Sequence, residues 1–194
     1  AHSKIGQCNL KELKIITKLP RITLKKEFLK KEIRNTVISY IETLKCNKID
    51  CLLLHSAHDI LDTNGHEIYE SLKLLKQEGL IKKFGVSTYD CKELNSIIDN
   101  FKIDIVQHPI NILDKRLINS GLIKKMKTHN IEIHCRSVFL QGLLLSNINQ
   151  LGHRFTPYKK DIQKVQEFAL KQKKSVQEIC LNFVLNIEEI SKVV

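Results

Sequence analysis

The chain has 194 residues, 42% hydrophobic and 27% charged, with a formal net charge of +11. That length suits one globular domain with a real core, and no apolar run approaches the roughly 20 residues that cross a bilayer. Ala1 to Gly6 lacks the apolar stretch of a signal peptide and begins without Met, consistent with a processed, cut or partial chain. The cations are mostly lysines spread over helix surfaces without interleaved aromatic residues, which argues against a nucleic-acid partner. The six cysteines, Cys8, Cys46, Cys51, Cys91, Cys135 and Cys180, are scattered with no CxxC pair, so reduced thiols in a cytoplasmic protein are expected.

Residues 3–10 read as the tail of a helix, and Lys14 to Pro20 as a buried strand ended by proline. Thr23 is the expected N-cap of a long helix carrying Phe28, Leu29, Ile33, Val37, Ile41 and Leu44 on one face. Ile49 to His55 follows, apolar without alternation from Cys51 to Leu54, the pattern of a strand covered on both faces. A helix is predicted over 66–78 with Gly79 as its left-handed cap, then a strand over 81–88 and a short helix over 90–100. A strand over 103–110, a helix over 117–129 and a strand over 131–137 come next. After a long connection, two helices near 158–173 and 175–186 lead to a strand beginning at Ile190.

Strand starts at 14, 49, 81, 103 and 131 lie 35, 32, 22 and 28 residues apart, each gap holding one helix, the βαβ signature of a parallel sheet. The glycine fingerprint GxGxxG of an open dinucleotide-binding sheet is absent. The expected class is therefore α/β, of (β/α)8 barrel type, incomplete, with about six of eight strands.

The polar residues at the strand ends are Lys18, His55, Ser87 with Thr88, Gln107 with His108, and Arg136 with Ser137. A barrel gathers such residues at one rim. The set suits an anionic cofactor and a carbonyl oxygen.

Several stretches then resemble one family. Ile15 to Lys18 resembles the lysine-bearing strand of the aldo-keto reductases, and Asp50 to His55 their histidine-bearing strand. Gly79 to Ser87 resembles "EGKIRAIGVSN", Gln107 with Asn111 to Arg116 resembles "Q…YNLLDR", and Ser137 to Leu144 resembles "SPLAQGLL". The resemblance covers nearly the whole chain, 1–194, in order, as a single barrel domain expected to lack both family ends.

The resemblance implies hydride transfer from a nicotinamide cofactor, NADP(H) ahead of NAD(H), to a small-molecule aldehyde or ketone. His55 would orient and polarise the carbonyl, and Lys18 would lower the pKa of a tyrosine acid. Ser87 and Gln107, with Thr88 where the family usually has Asn, would hold the nicotinamide carboxamide. Arg136 stands where an aromatic residue usually stacks on the ring, and a guanidinium can also stack or contact an acidic substrate. Ser137, Val138, Phe139 and Leu140 would wrap the pyrophosphate through backbone N–H groups.

The family's catalytic Tyr and its Asp are expected upstream of Ala1, and the segment reading the 2′-phosphate downstream of Val194. None of Tyr40, Tyr69, Tyr89 and Tyr158 has the context to replace that tyrosine. The chain is thus expected to be a partial, inactive segment. His58, Asp59, Arg136 and Arg154 point to a polar or anionic carbonyl compound such as a sugar derivative.

Two alternatives remain. His55-Ser56-Ala57-His58-Asp59 has a metal-like HxxHD spacing, but i and i+3 on an extended segment face apart and no further His or Cys pair completes a set, so no metal is expected. The stronger alternative is a non-catalytic nicotinamide-nucleotide-binding or regulatory barrel protein.

Overall fold

The run Cys51 to Leu54 is fully buried and forms the body of strand β2. In this computed structural model, which describes residues 1–10, 12–22 and 26–194, the strands are β1 (Ile16–Leu19), β2 (Ile49–Leu54), β3 (Ile81–Ser87), β4 (Ile105–Pro109), β5 (Glu132–Arg136) and β6 (Ile190–Val193). The helices are α1 (His2–Ile5), α2 (Lys26–Leu44), α3 (His58–Leu61), α4 (Gly65–Gln77), α5 (Cys91–Asn100), α6 (Arg116–Asn119), α7 (Leu122–Thr128), α8 (Lys159–Lys171) and α9 (Val176–Leu185). The sheet order is β1-β2-β3-β4-β5-β6, chain order throughout. This is the expected α/β class, a six-stranded parallel sheet of an incomplete (β/α)8 type.

The chain divides into two compact units, Ala1–Gln107 with His129–Ile131, and His108–Thr128 with Glu132–Val194. In the first unit β1, β2, β3 and the start of β4 pair in parallel, with Lys18 opposite Leu53, Leu53 opposite Gly85 and Gly85 opposite Ile105. Side chains alternate across a strand, so the two faces separate cleanly. On one face Phe84 meets the Tyr69 ring of α4 edge-on at 5.8 Å between centroids. On the other face Cys51, Leu53 and Ile105 form a buried cluster with Ile16 against it. Leu29, Ile33, Val37 and Leu44 of α2 are buried as the periodicity predicts, whereas Phe28 faces outward, 52% exposed. The Thr23 cap lies outside the described residues.

In the second unit β5 and β6 pair in parallel, Ile133 opposite Ile190 and Cys135 opposite Val193. A capping box opens α9: the Ser175 hydroxyl accepts from the Glu178 N–H at 3.2 Å, and the Glu178 carboxylate accepts from the Ser175 N–H at 2.7 Å.

Two expectations shift. The helix tail over 3–10 is the single turn α1. The helix over 117–129 is two, because Gly121 takes a left-handed φ of 77° between them and the Ser120 hydroxyl accepts the Leu122 N–H at 3.2 Å. The cap at Gly79 is left-handed, φ 77°, as predicted.

At Gly85, β3 lies close against its neighbour: a Cβ built there would stand 1.7 Å from the Ile105 carbonyl oxygen. Backbone cannot yield as a flexible side chain can, so Gly85→Ala must spread β3 from β4. Its expected cost is about 3 kcal/mol, read as a lower denaturation midpoint with unchanged slope in urea.

Candidate active-site residues

Pairing and alternation together decide which polar residues of the first unit share a face. The apolar cluster holds Ile16, Cys51, Leu53 and Ile105, and Lys18, His55 and Gln107 each follow one of these at a spacing of two. Ser87 follows Gly85, which is paired to both Leu53 and Ile105. Lys18 therefore lies level with Leu53, Gly85 and Ile105. His55, Ser87 and Gln107 make the next row toward the strand ends.

His55 stands just past β2, its backbone N–H donating to the Leu19 carbonyl at 3.1 Å, and its side chain is exposed. Lys18 is half-buried, and its carbonyl accepts from the Tyr40 hydroxyl at 3.4 Å. Ser87 and Gln107 are directly opposite in register, 3% and 2% exposed. The side-chain oxygen Oε1 of Gln107 is buried without a hydrogen-bond partner among the described residues. Thr88, 1% exposed, donates its N–H to the Gln107 carbonyl at 3.0 Å and its hydroxyl to the Asp90 carbonyl at 3.2 Å. Its hydroxyl proton thus serves the turn leading into α5.

Asp59, expected at a polar site mouth, is only 6% exposed; its carboxylate accepts the Ile22 N–H at 3.0 Å. It fastens the segment after β1 to the one after β2. His58, the first residue of α3, is exposed.

The second unit holds the other expected site residues on one turn. Ser137, Leu140 and Gln141 have φ of 60°, 47° and 56°, followed by Gly142 at 89°. Leu140, Gln141 and Gly142 are thus left-handed in succession, a tight turn of the chain after β5. The Leu140 N–H is spent on the Ser137 carbonyl at 3.0 Å, so the backbone donors expected of 137–140 reduce to the residues before it. Val138 is buried, and the Arg136 guanidinium donates to the Ser137 hydroxyl at 3.3 Å.

Asn111, fully buried, organises this turn. Its side-chain NH2 donates to the Ser137 carbonyl at 3.2 Å, while its Oδ1 accepts the N–H groups of Leu113 at 3.0 Å and Asp114 at 2.8 Å. The local spacing Asn111 to Asp114 is an Asx-turn signal, but its link to Ser137 is not readable from spacing. Asp114 is bound by the Arg116 guanidinium at 2.8 Å, which holds its carboxyl below the ordinary range. Cys135 donates its thiol to the Ile110 carbonyl at 3.1 Å, and burial pushes it up to about 11, a packed and unreactive thiol. Burial lowers the pKa of His108, a shift opposed by the Pro109 carbonyl, to which Nδ1 lies at 2.9 Å, and by the Asp114 carboxylate.

The profile described as "Aldo/keto reductase family" matches residues 5–194. Among solved structures, the aldo-keto reductase AKR11C1 from Bacillus halodurans (apo form) superposes with a TM-score of 0.79 at 20% identity, over 100% of this chain and 65% of that one. The glycerol dehydrogenase AKR11B4 from Gluconobacter oxydans gives 0.76 at 18% identity, over 99% and 66%. An aldo/keto reductase from Klebsiella pneumoniae in complex with NADP and acetate gives 0.72 at 14% identity, over 100% and 64%. At these identities the superpositions speak for the fold, and the chain spans about two thirds of the length of those structures.

The match corrects one expectation. The expectation of a partial chain with both family ends missing rests on the Tyr and Asp placed upstream of Ala1, the 2′-phosphate segment placed downstream of Val194 and the count of about six of eight strands. The family profile instead runs from residue 5 to residue 194 and the superpositions take in 100% of the chain, so that description is withdrawn.

Two measurements check the second unit. Asn111→Ala strands the Ser137 carbonyl and two N–H groups, and is expected to cost about 2–3 kcal/mol and to speed hydrogen exchange in the 137–142 turn. His108 contributes stability with a definite sign. The unfolded chain takes up a proton at the ordinary histidine value, near 6.5, before the folded chain does. The contribution is therefore full above that value and is lost as pH falls through it. Urea midpoints should fall between pH 7.5 and pH 5.5, and less in His108→Gln.

Proposed function

The chain belongs to the aldo/keto reductase family, and from that premise we propose that it reduces an aldehyde or ketone with a nicotinamide nucleotide, NADPH ahead of NADH. The observation that carries this reading is the pairing of Ser87 with Gln107. Two buried polar side chains lie opposite each other, and one of them holds an oxygen that lacks a donor. An unpaired buried acceptor is worth about 1–3 kcal/mol to whatever satisfies it. A primary carboxamide, the polar group of nicotinamide, fits this pair: Gln107 Oε1 would accept from its N–H, and the Ser87 hydroxyl would donate to its carbonyl. Thr88 backs this pair by holding the Gln107 main chain.

When bound, the cofactor would supply the hydride and water the proton that the resulting alkoxide takes up; the chain's residues would hold and polarise the carbonyl. His55 donates to the carbonyl oxygen, orients it and polarises the bond. Lys18, one row before His55 on the same face, would add a cation that favours charge developing on that oxygen. The turn of Ser137, Val138, Phe139 and Leu140 offers backbone N–H groups to a pyrophosphate, and Arg136 offers a planar cation to a ring or to an anionic substrate group. The substrate is a polar carbonyl compound, for which a sugar derivative is the favoured class.

A non-catalytic nucleotide-binding protein is the alternative, and the tyrosines favour it. Tyr40 donates to the Lys18 carbonyl from α2, Tyr69 to the Lys102 carbonyl at 3.3 Å, and Tyr89 and Tyr158 are 61% and 55% exposed. None of them is thereby assigned to proton transfer.

Quenching of NADPH fluorescence, followed by absorbance loss with a panel of polar aldehydes, separates the two. Gln107→Ala should weaken NADPH binding about tenfold. Lys18→Met and His55→Ala should leave binding within a factor of about two and lower kcat/KM by roughly 100-fold. Binding without oxidation of NADPH by any aldehyde would replace the reductase assignment with the alternative; no binding at all would remove both.

A further inference from the structure

Away from the strand ends, at the opposite end of β1 and β2, the first unit contains a cleft of about 480 Å³. Cys8 and Cys46 both line it, together with Asn9, Asn47 and Asp50. Both thiols are free, Cys8 exposed and Cys46 half-buried, and they stand 38 residues apart in the sequence. The backbone explains how they come to share a cleft. A Cβ built on Gly6 would stand 2.0 Å from the Thr43 carbonyl oxygen and 3.1 Å from the Leu44 Cα, so only glycine lets the end of α1 lie against the end of α2. Each cysteine follows that contact by two residues. The Cys8 N–H closes onto the Ile5 carbonyl at 2.9 Å and the Cys46 N–H onto the Ile41 carbonyl at 3.1 Å. Each thiol also leans on its own helix, Cys8 toward the Lys4 carbonyl and Cys46 toward the Ile41 carbonyl, both at 3.9 Å. Contacts that long hold a side chain only weakly.

We infer that Cys8 and Cys46 form a redox pair, closing to a disulfide with a small-molecule disulfide such as oxidised glutathione as the oxidant. The Cys8 thiolate attacks one glutathione sulfur, breaking its S–S bond and releasing one glutathione thiolate, which takes up a proton. The Cys46 sulfur, losing its proton, then attacks the Cys8 sulfur and expels the second glutathione. Two protein thiols are oxidised to one disulfide, and one glutathione disulfide is reduced to two thiols. The order follows from access: Cys8 is the exposed thiol, while burial raises the pKa of Cys46 and makes it the slower, resolving partner. Cys51, Cys135 and Cys180 are buried in the core and have no such access. A metal is the other use for two thiols beside Asp50, but among the described residues no group of three His, Cys, Asp or Glu side chains is placed to hold one.

The bond would clamp α1 onto α2, and α1 already supports β1. His2 lies 2.7 Å from the Thr17 hydroxyl, and its ring packs on Tyr40 with centroids 4.2 Å apart. Closing a loop of 38 residues restricts the unfolded chain, so oxidation should raise stability as well as change thiol chemistry.

The test treats the folded chain with oxidised glutathione, blocks remaining thiols, digests with trypsin and maps the disulfides by mass spectrometry. The expected product joins the peptide of residues 5–11 to that of residues 46–48, with the Tm raised by roughly 5 °C and both changes reversed by dithiothreitol. Cys8→Ser and Cys46→Ser should each abolish the linked peptide while keeping the far-UV circular dichroism of the parent. Three results would overturn the pair: glutathione retained on Cys8 with Cys46 still blocked as a free thiol; linkage to another cysteine or a second chain in equal yield; or the same 5–11/46–48 yield in concentrated guanidinium chloride.

Discussion

Burial on both faces is the constraint from which the rest follows. A strand such as Cys51–Leu54, with every residue buried, has no place for a polar group along its length. Polar side chains are pushed to the strand end, where the row of His55, Ser87 and Gln107 begins. The row is ordered because parallel pairing sets the register, and alternation then settles the face. A one-residue slip would put Phe84 and Val86 in the places of Gly85 and Ser87, exchanging a polar row for an apolar one. Gly85 sharpens the same point, since β3 and β4 approach there too closely for any side chain.

Within this frame the loops are held by buried polar groups that serve the backbone. Asp59 takes the Ile22 N–H, and Asn111 satisfies two N–H groups while gripping the Ser137 carbonyl. Such bonds stabilise modestly when made and cost more when one partner is removed. They confine the segments next to Lys18 and His55 in one unit and the 137–142 turn in the other. Gln107 differs: its Oε1 is buried and serves nothing among the described residues. Polar groups that are sequestered but unsatisfied are uncommon in folded chains, which is why this oxygen is the most informative atom at the candidate site.

The strands were legible from composition and spacing because buried parallel strands need continuous apolar runs. The left-handed cap at Gly79 that ends α4 was legible because caps are local. The division between α6 and α7 was not, since the apolar periodicity runs on through Ser120 and Gly121 while the backbone turns. Lys18, His55, Ser87 and Gln107 could be nominated from their positions at strand ends. Thr88 and Asp59 could be nominated too; their hydrogen bonds to Asp90 and Ile22, which hold loops, were not readable from position.

The sequence by itself determined the α/β class, the order of strands and helices, and the identity of the residues that end each strand. Those properties depend on neighbours a few positions away. Only the tertiary structure decided that Ser87 faces Gln107, that Gln107 keeps an unpaired oxygen, that Asn111 grips Ser137, and that Cys8 shares a cleft with Cys46. The three pairings join residues tens of positions apart, and the unpaired oxygen reflects how its surroundings pack. Register, closest approach and burial are set by how elements pack, and no local pattern encodes them.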